Sequence, residues 1–423
     1  FKVVKELESR INLLISSKQG QLLVRYYMDR FNLPQQIVIQ YLKQRIASNF
    51  NTKSLKFSSV MTLPYLFFSI LKYLGFLFIV LLYSKKLKME STKGVYDLLI
   101  DDIQHNDEIH RWRCLEEEFN REKVLFIARS DQVKTSKDNN IIIRKPLKDY
   151  DRSFLLNDLS NLFLRDLWFL FRKSFKLNVN LVHLHTLFVN DYLYYSSLFR
   201  LFKAKYIIQD RNLGRTNALK NYLFKLSDGK VSSCIQKNIA QHNGYALFYD
   251  TDIFFSYGDK TADDILDLGA RIDYVSPMGS FAMEGSSIDL NQIHNKKSFE
   301  RQTIDIIYIG INAITSHKTN WDGYYESIKW LATFSNTHKN KKIVIKHHPS
   351  WTPDEKEFNI IKDSNIEYFD KTADSYEIAS QSKLIITYGS SMGYELIGCG
   401  LSVFFVDPNN SNPFINNFVY SDN

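Results

Sequence analysis

Ile343-Val344-Ile345 and Leu384-Ile385-Ile386 are short runs with no polar face, each closed off by polar residues before a helical pattern begins. A strand without a polar face must be covered on both sides, the condition of a parallel strand between two helix layers. Similar runs recur at Val95–Ile100, Val124–Ala128, Ile141–Ile143, Leu181–His185, Lys205–Asp210, Val231–Gln236, Ile253–Gly258, Ile304–Gly310, Glu367–Phe369 and Leu401–Val406. Helical patterns at His110–Asn120, Asp151–Phe175, Asp191–Phe202, Tyr324–Thr337, Asp354–Asp363 and Ser375–Ser382 fill the intervals. Strands alternating with helices predict an α/β chain with doubly wound parallel sheets.

At 423 residues the chain exceeds one ordinary domain, and roughly 150 residues per domain predicts two or three. Residues 1–93 read as a helical region, broken near Pro34. Residues 94–283 form a first Rossmann-like domain, and the polar stretch 284–302 is a linker. Residues 303–423 form a second Rossmann-like domain. Two such halves are expected to face a cleft. The sequence begins at Phe1 and stops at Asn423 in an Asn/Ser run, so a fragment with a truncated second domain is expected.

The net charge of +8 favours anionic partners. Nucleic acid, anionic lipid headgroups and a sugar nucleotide all qualify by charge, but no nucleic-acid-binding motif is present. Cys114, Cys234 and Cys399 are odd in number and far apart. They imply neither a disulfide framework nor a zinc cluster, and a reducing compartment fits.

Residues 60–83 are almost continuously apolar, with Lys72 interrupting, Lys53 and Lys56 before and Lys85, Lys86 and Lys88 after. About 20 apolar residues span a bilayer, but a lysine in mid-span costs several kcal/mol. The expectation is a helix or hairpin lying in the membrane interface, at the cytoplasmic face of the inner membrane. A transmembrane helix and a buried helix pair are the alternatives.

Ligands of open α/β sheets bind outside the carboxyl ends of strands. The run at Ile343 ends in Lys346-His347-His348-Pro349, and proline stops the ladder there. His348 is a donor for a phosphate oxygen and titrates near neutral pH. Alternation along the strand sends Lys346 and His348 to one side and His347 to the other. The run at Leu384 ends in Tyr388-Gly389-Ser390-Ser391-Met392-Gly393-Tyr394-Glu395. Gly389 lets backbone approach a ligand. Ser390 and Ser391 open a helix, as N-caps or as phosphate ligands. Glu395 stands one turn on, at the distance of a ribose hydroxyl.

These motifs resemble the donor-binding domain of GT-B glycosyltransferases of bacterial surface and capsular polysaccharide synthesis, which carry a His-Pro and a Ser-Ser motif. Sialyltransferases and Kdo transferases are such families. The resemblance is good over 304–408 and vague before it. It implies that His348, Pro349, Ser390 and Ser391 contact the phosphate of a CMP-linked donor. It also places the loop after Gly310, with Thr315, Ser316, His317 and Lys318, at the donor. The Ser-Ser-x-x-x-Glu spacing is similar to that of CDP-glycerol glycerophosphotransferases and of UDP-GlcNAc 2-epimerases. The chain departs from the sialyltransferases in lacking an acidic pair followed by glycine, since Asp101-Asp102 precedes Ile103.

An inverting transfer needs a base for the acceptor hydroxyl. The strand ends of the first half offer Asp101, Asp102, His105 and Asp210. No Asp-x-Asp motif accompanies the donor site, so metal-independent transfer without a cofactor is expected. The expected partners are a nucleotide sugar, a glycan or lipid-linked acceptor and the membrane surface. The rivals are a polyol-phosphate transferase, a sugar-nucleotide epimerase and a non-catalytic scaffold.

Overall fold

The computed structural model describes residues 2–48, 50–51, 56–57, 63–84, 92–104, 106–115, 118–129, 133, 140–143, 150–151, 165–210, 216–236, 248–281, 303–310 and 320–408. The chain divides into two compact units, Phe1–Met278 and Gly279–Asn423. The expected linker 284–302 lies outside the described residues.

Unit 1 opens with helices α1 (Lys2–Ser16), α2 (Lys18–Phe31) and α3 (Gln35–Ser48). Ser17 caps α2, its hydroxyl accepting from the Gly20 N–H at 3.1 Å. Asn32 ends α2 in the left-handed region at φ 51°, two residues before Pro34. A short antiparallel pair, β1 (Phe50–Asn51) and β2 (Lys56–Phe57), leads to α4 (Leu63–Tyr83). Then follow β3 (Gly94–Ile103), α5 (Asn106–Arg111), β4 (Val124–Ala128), β5 (Ile141–Ile143), α6 (Leu167–Leu177), α7 (Leu181–Leu201) and β6 (Phe202–Gln209). The unit closes with α8 (Asn217–Leu226), β7 (Val231–Ile235), β8 (Asp250–Ser256), α9 (Asp259–Asp267) and β9 (Arg271–Pro277).

The seven strands of the sheet run β5-β4-β3-β6-β7-β8-β9, every pair parallel. Counted from β3 the order is 3-2-1-4-5-6-7. The winding reverses between β3 and β6, which makes their carboxyl ends the switch point. Leu7, Leu23, Tyr27 and Tyr41 of the first helices share one core with Leu77 of α4, Phe188 and Phe199 of α7 and Leu219 of α8. Polar ties reinforce it. The Gln40 amide donates to the carbonyls of Phe248 at 2.8 Å and Gly269 at 2.9 Å. Arg45 pairs with Asp191, which also accepts from the Tyr41 hydroxyl at 2.6 Å.

Two local expectations are corrected, and one strand was not foreseen. Leu181–His185 is the first turn of α7, not a strand. Its five-residue alternation is also compatible with a helix buried on several sides, and Asn180 caps it by accepting from the His183 N–H at 3.0 Å. The expected helix over His110–Asn120 stops at Arg111 and gives way to a 3-10 turn, Trp112–Leu115. Asn120 instead caps the next turn, its side chain accepting from the Glu122 N–H at 3.0 Å. The edge strand β9 went unanticipated because its residues are mostly half-exposed or exposed, so no apolar run marks it. Within Asp151–Phe175, residues 152–164 are outside the described set, and helix is found from Leu167.

Unit 2 comprises β10 (Ile304–Ile309), α10 (Trp321–Thr337), β11 (Ile343–Lys346), α11 (Glu355–Ile361), β12 (Ile366–Tyr368), α12 (Ser375–Ser380), β13 (Ser382–Thr387), α13 (Met392–Gly398) and β14 (Val403–Phe405). Asn320, Asp354 and Asp374 cap α10, α11 and α12 with their side chains. The sheet order is β12-β11-β10-β13-β14, all parallel. This is the 3-2-1-4-5 winding, with its switch point between β10 and β13. Ile306 and Tyr308 pack on one side with Tyr324 and Ile328 of α10. Ile307 and Ile309 pack on the other with Ile378 and Leu396. Burial on both faces is what the unbroken apolar runs predict.

Candidate functional site

In unit 2, Ile309 of β10 pairs with Lys346 of β11 on one side and with Thr387 of β13 on the other. The three strands therefore end level. The residues that follow are Gly310, His347-His348 and Tyr388-Gly389-Ser390-Ser391. The strand order thus gathers residues that are far apart in the chain at one switch point.

His348 is exposed. Its Nδ1 accepts the Ser350 N–H at 3.2 Å and lies 2.7 Å from the Ser350 hydroxyl. A ring nitrogen that accepts from a backbone amide carries no proton, so the neutral ring keeps its proton on Nε2 as a donor. Partial burial, then the nearby Lys346 ammonium, holds the His348 pKa below the usual histidine value. Both effects favour the neutral ring.

Lys346 is almost wholly buried, and its ammonium donates to the carbonyls of His347 at 2.9 Å and Lys371 at 2.8 Å. It ties the end of β11 to the segment that follows β12. Burial lowers its pKa against the pull of Asp370 and Asp374.

The Ser390 N–H donates to Thr387 Oγ1 at 3.1 Å, and its own hydroxyl accepts from the Met392 N–H at 3.3 Å. Ser391 stands at the cap of α13 without a side-chain capping bond. Because α13 has seven residues, its dipole is small and the loop's hydroxyls and amides matter more. Glu395 is buried and accepts from the Tyr376 hydroxyl. Thr315 and Ser316 lie outside the described residues.

Sequence reasoning missed the support beneath the site. His347 is buried, and its Nε2 lies 2.7 Å from Glu357 Oε1. Glu357, wholly buried, also accepts from the hydroxyls of Tyr368 at 2.9 Å and Tyr324 at 3.0 Å. The imidazole fills the space a side chain at position 310 would need: a Cβ on Gly310 would stand 2.0 Å from His347 Nδ1. Trp321 and Trp351 stack at 5.4 Å beside this group. The repeated histidine was the available signal, but the partners sit on α10, α11 and β12, which no local motif connects.

In unit 1, three of the four proposed bases come together where β3 and β6 end. The Asp210 N–H donates to the Asp101 carbonyl at 3.0 Å. Asp101 Oδ2 is 2.9 Å from the Lys220 ammonium, both side chains buried. Lys220 also donates to Gln209 at 2.7 Å. Asp102 sits at a bulge with φ 84°, a backbone form aspartate tolerates better than most residues. Its carboxylate pairs with Arg129. Asp210 accepts the Trp112 indole N–H at 3.0 Å. His105 lies outside the described residues. Among the described residues no group of three or more His, Cys, Asp or Glu side chains is placed to hold a metal ion.

No family model and no curated protein matches the chain. Several solved structures are similar to it. A UDP-GlcNAc 2-epimerase from Neisseria meningitidis, bound to UDP-GlcNAc, is 10% identical over 74% of this chain and 82% of that one, with a TM-score of 0.44. An α,α-trehalose-phosphate synthase (UDP-forming) from Burkholderia vietnamiensis is 8% identical over 72% and 82%, with a TM-score of 0.40. An α/β-galactoside α-2,3-sialyltransferase from Photobacterium phosphoreum is 11% identical over 77% and 95%, with a TM-score of 0.38.

Proposed function

We propose that the chain is a GT-B-type glycosyltransferase whose unit 2 binds the phosphate of a nucleotide-sugar donor. The observation that carries this reading is the level ending of β11, β10 and β13, which puts His348, Gly310 and Gly389-Ser390-Ser391 on neighbouring strand ends. The His348 Nε2–H, the hydroxyls of Ser390 and Ser391 and the loop amides are the donors that neutralise the leaving phosphate. His347 and Glu357 hold the floor of that site. A CMP-linked donor is favoured by the His-Pro and Ser-Ser motifs, and a surface glycan or lipid-linked glycan is the acceptor.

Breaking the glycosidic bond to the nucleotide requires the acceptor hydroxyl to lose its proton as it attacks. The candidates for that base are Asp210, Asp101, Asp102 and His105.

The test is turnover of CMP-, UDP-, GDP- and CDP-linked donors with His348→Ala and Ser391→Ala. Loss of turnover by at least about a hundredfold in both, with the fold intact, is expected for donors to a developing charge. Wild-type turnover that both variants match removes the site from this place. Conversion of the donor sugar to its epimer without any acceptor makes the protein an epimerase, and phosphorus retained in the glycan product makes it a polyol-phosphate transferase.

A further inference from the structure

We propose that α4 and the outward face of α6 anchor the protein in the interface of an anionic bilayer, with α4 lying in the membrane plane and not crossing it. This surface belongs to unit 1, and the inference does not rest on the nucleotide site.

Helix α4 is long and apolar enough to cross a membrane. Its two faces differ in environment. Leu66, Tyr73, Leu77 and Val80 recur on one side and are fully buried. That side is pinned to α7: the Asn180 amide donates to Ser69 at 2.8 Å, and the Tyr73 hydroxyl lies 3.3 Å from His185 Nε2. A crossing orientation would tear this side from the core of unit 1.

The opposite side carries Phe67, Phe68, Leu71, Phe78 and Leu82, each 51–63% exposed. Lys72 stands at its margin, the ammonium 4.4 Å from the Phe68 ring centroid. A lysine there keeps its stem on apolar surface and its charge at the headgroups. Helix α6 also packs on α7. It exposes Trp168 and Phe175 beside the exposed Arg172 and Lys176, and aromatic and basic residues together suit an anionic lipid interface.

A second copy fits the face poorly. At 1.5 Å per residue the helix is about 31 Å long, so a stripe about 10 Å wide buries about 300 Å² per copy. Twice that is about half of what a stable interface needs, roughly 1,200 Å².

The experiment is flotation of the full chain with vesicles of phosphatidylcholine alone and of phosphatidylcholine with phosphatidylglycerol. Wild type should float with the anionic vesicles and several-fold less with the neutral ones. The double variant Leu71→Asp/Phe78→Asp changes exposed side chains, so it should melt within about 2 °C of wild type while partitioning at least ten-fold less. A fluorophore on Phe78→Cys should be quenched by shallow lipid quenchers more than by deep ones. Absence of vesicle binding, equal partitioning of the double variant, or stronger quenching from the bilayer centre each overturns the proposal. So does a lipid-free dimer that the double variant dissolves.

Discussion

Gly310→Ala tests the floor of the site with one methyl group. The added Cβ would stand 2.0 Å from His347 Nδ1 and 2.5 Å from its Cε1, where ordinary contact begins at 3.4 Å. The imidazole has one of two ways out. It can stay and force strain into a packed interior, at about 1–3 kcal/mol. It can swing away and lose its bond to Glu357, 2.7 Å from Nε2, at about 1.5–3 kcal/mol for a bond to a charged group. Either route predicts about 1–3 kcal/mol of lost stability, a fall of about 3–12 °C in the melting of unit 2. Urea unfolding followed by the fluorescence of the stacked Trp321 and Trp351 reads this unit. In a His347→Ala background the clash is gone, so the same substitution should cost less than about 0.5 kcal/mol. A Gly310→Ala variant as stable as wild type, or one whose cost survives His347→Ala, would refute the packing argument.

Three further predictions follow from the same contacts. His348 has a lowered pKa, so it gains charge only as pH falls through that lowered value. Affinity for a nucleotide sugar, whose phosphodiester does not titrate here, should rise as pH falls through that lowered value and stay flat in His348→Gln; calorimetry at several pH values showing a flat wild-type profile refutes it. Lys220→Met leaves the Asp101 carboxylate buried without its cation. It should lower stability by about 3–5 kcal/mol in urea unfolding, with partial recovery in Lys220→Met/Asp101→Asn. Ser391 makes no capping bond, so Ser391→Ala should change stability by less than about 0.5 kcal/mol. In the same protein nucleotide affinity should fall at least five-fold, and a stability loss with unchanged affinity would reverse the roles given to it.

The second unit was the more legible in sequence. Its central strands are largely buried on both faces, so Ile343–Ile345 and Leu384–Ile386 announce themselves as apolar runs, and their ends carry His348 and Ser390-Ser391. The 181–185 segment was misread because Leu and Val alternating with His over five residues fits either periodicity. What decides it lies elsewhere: His185 is buried between Tyr27 and Tyr73, 3.3 Å from each hydroxyl. The role of the first helices was invisible for a similar reason. Gln40 and Arg45 act on Phe248, Gly269 and Asp191, residues more than a hundred positions away. The charge of Lys346 is visible in sequence, whereas the two carbonyls that hold it are not. Glu357 carried no signal at all, since its three partners come from three different elements.

The central claim is that the level strand ends of unit 2 bind a nucleotide phosphate. Titration calorimetry of CMP into wild type and His348→Ala tests it most directly. The account predicts saturable binding by wild type, weakened at least ten-fold by the substitution, with the melting temperature of the free protein unchanged. Equal affinity in the two proteins, or no binding of CMP, CDP, UDP or GDP by wild type, would contradict it.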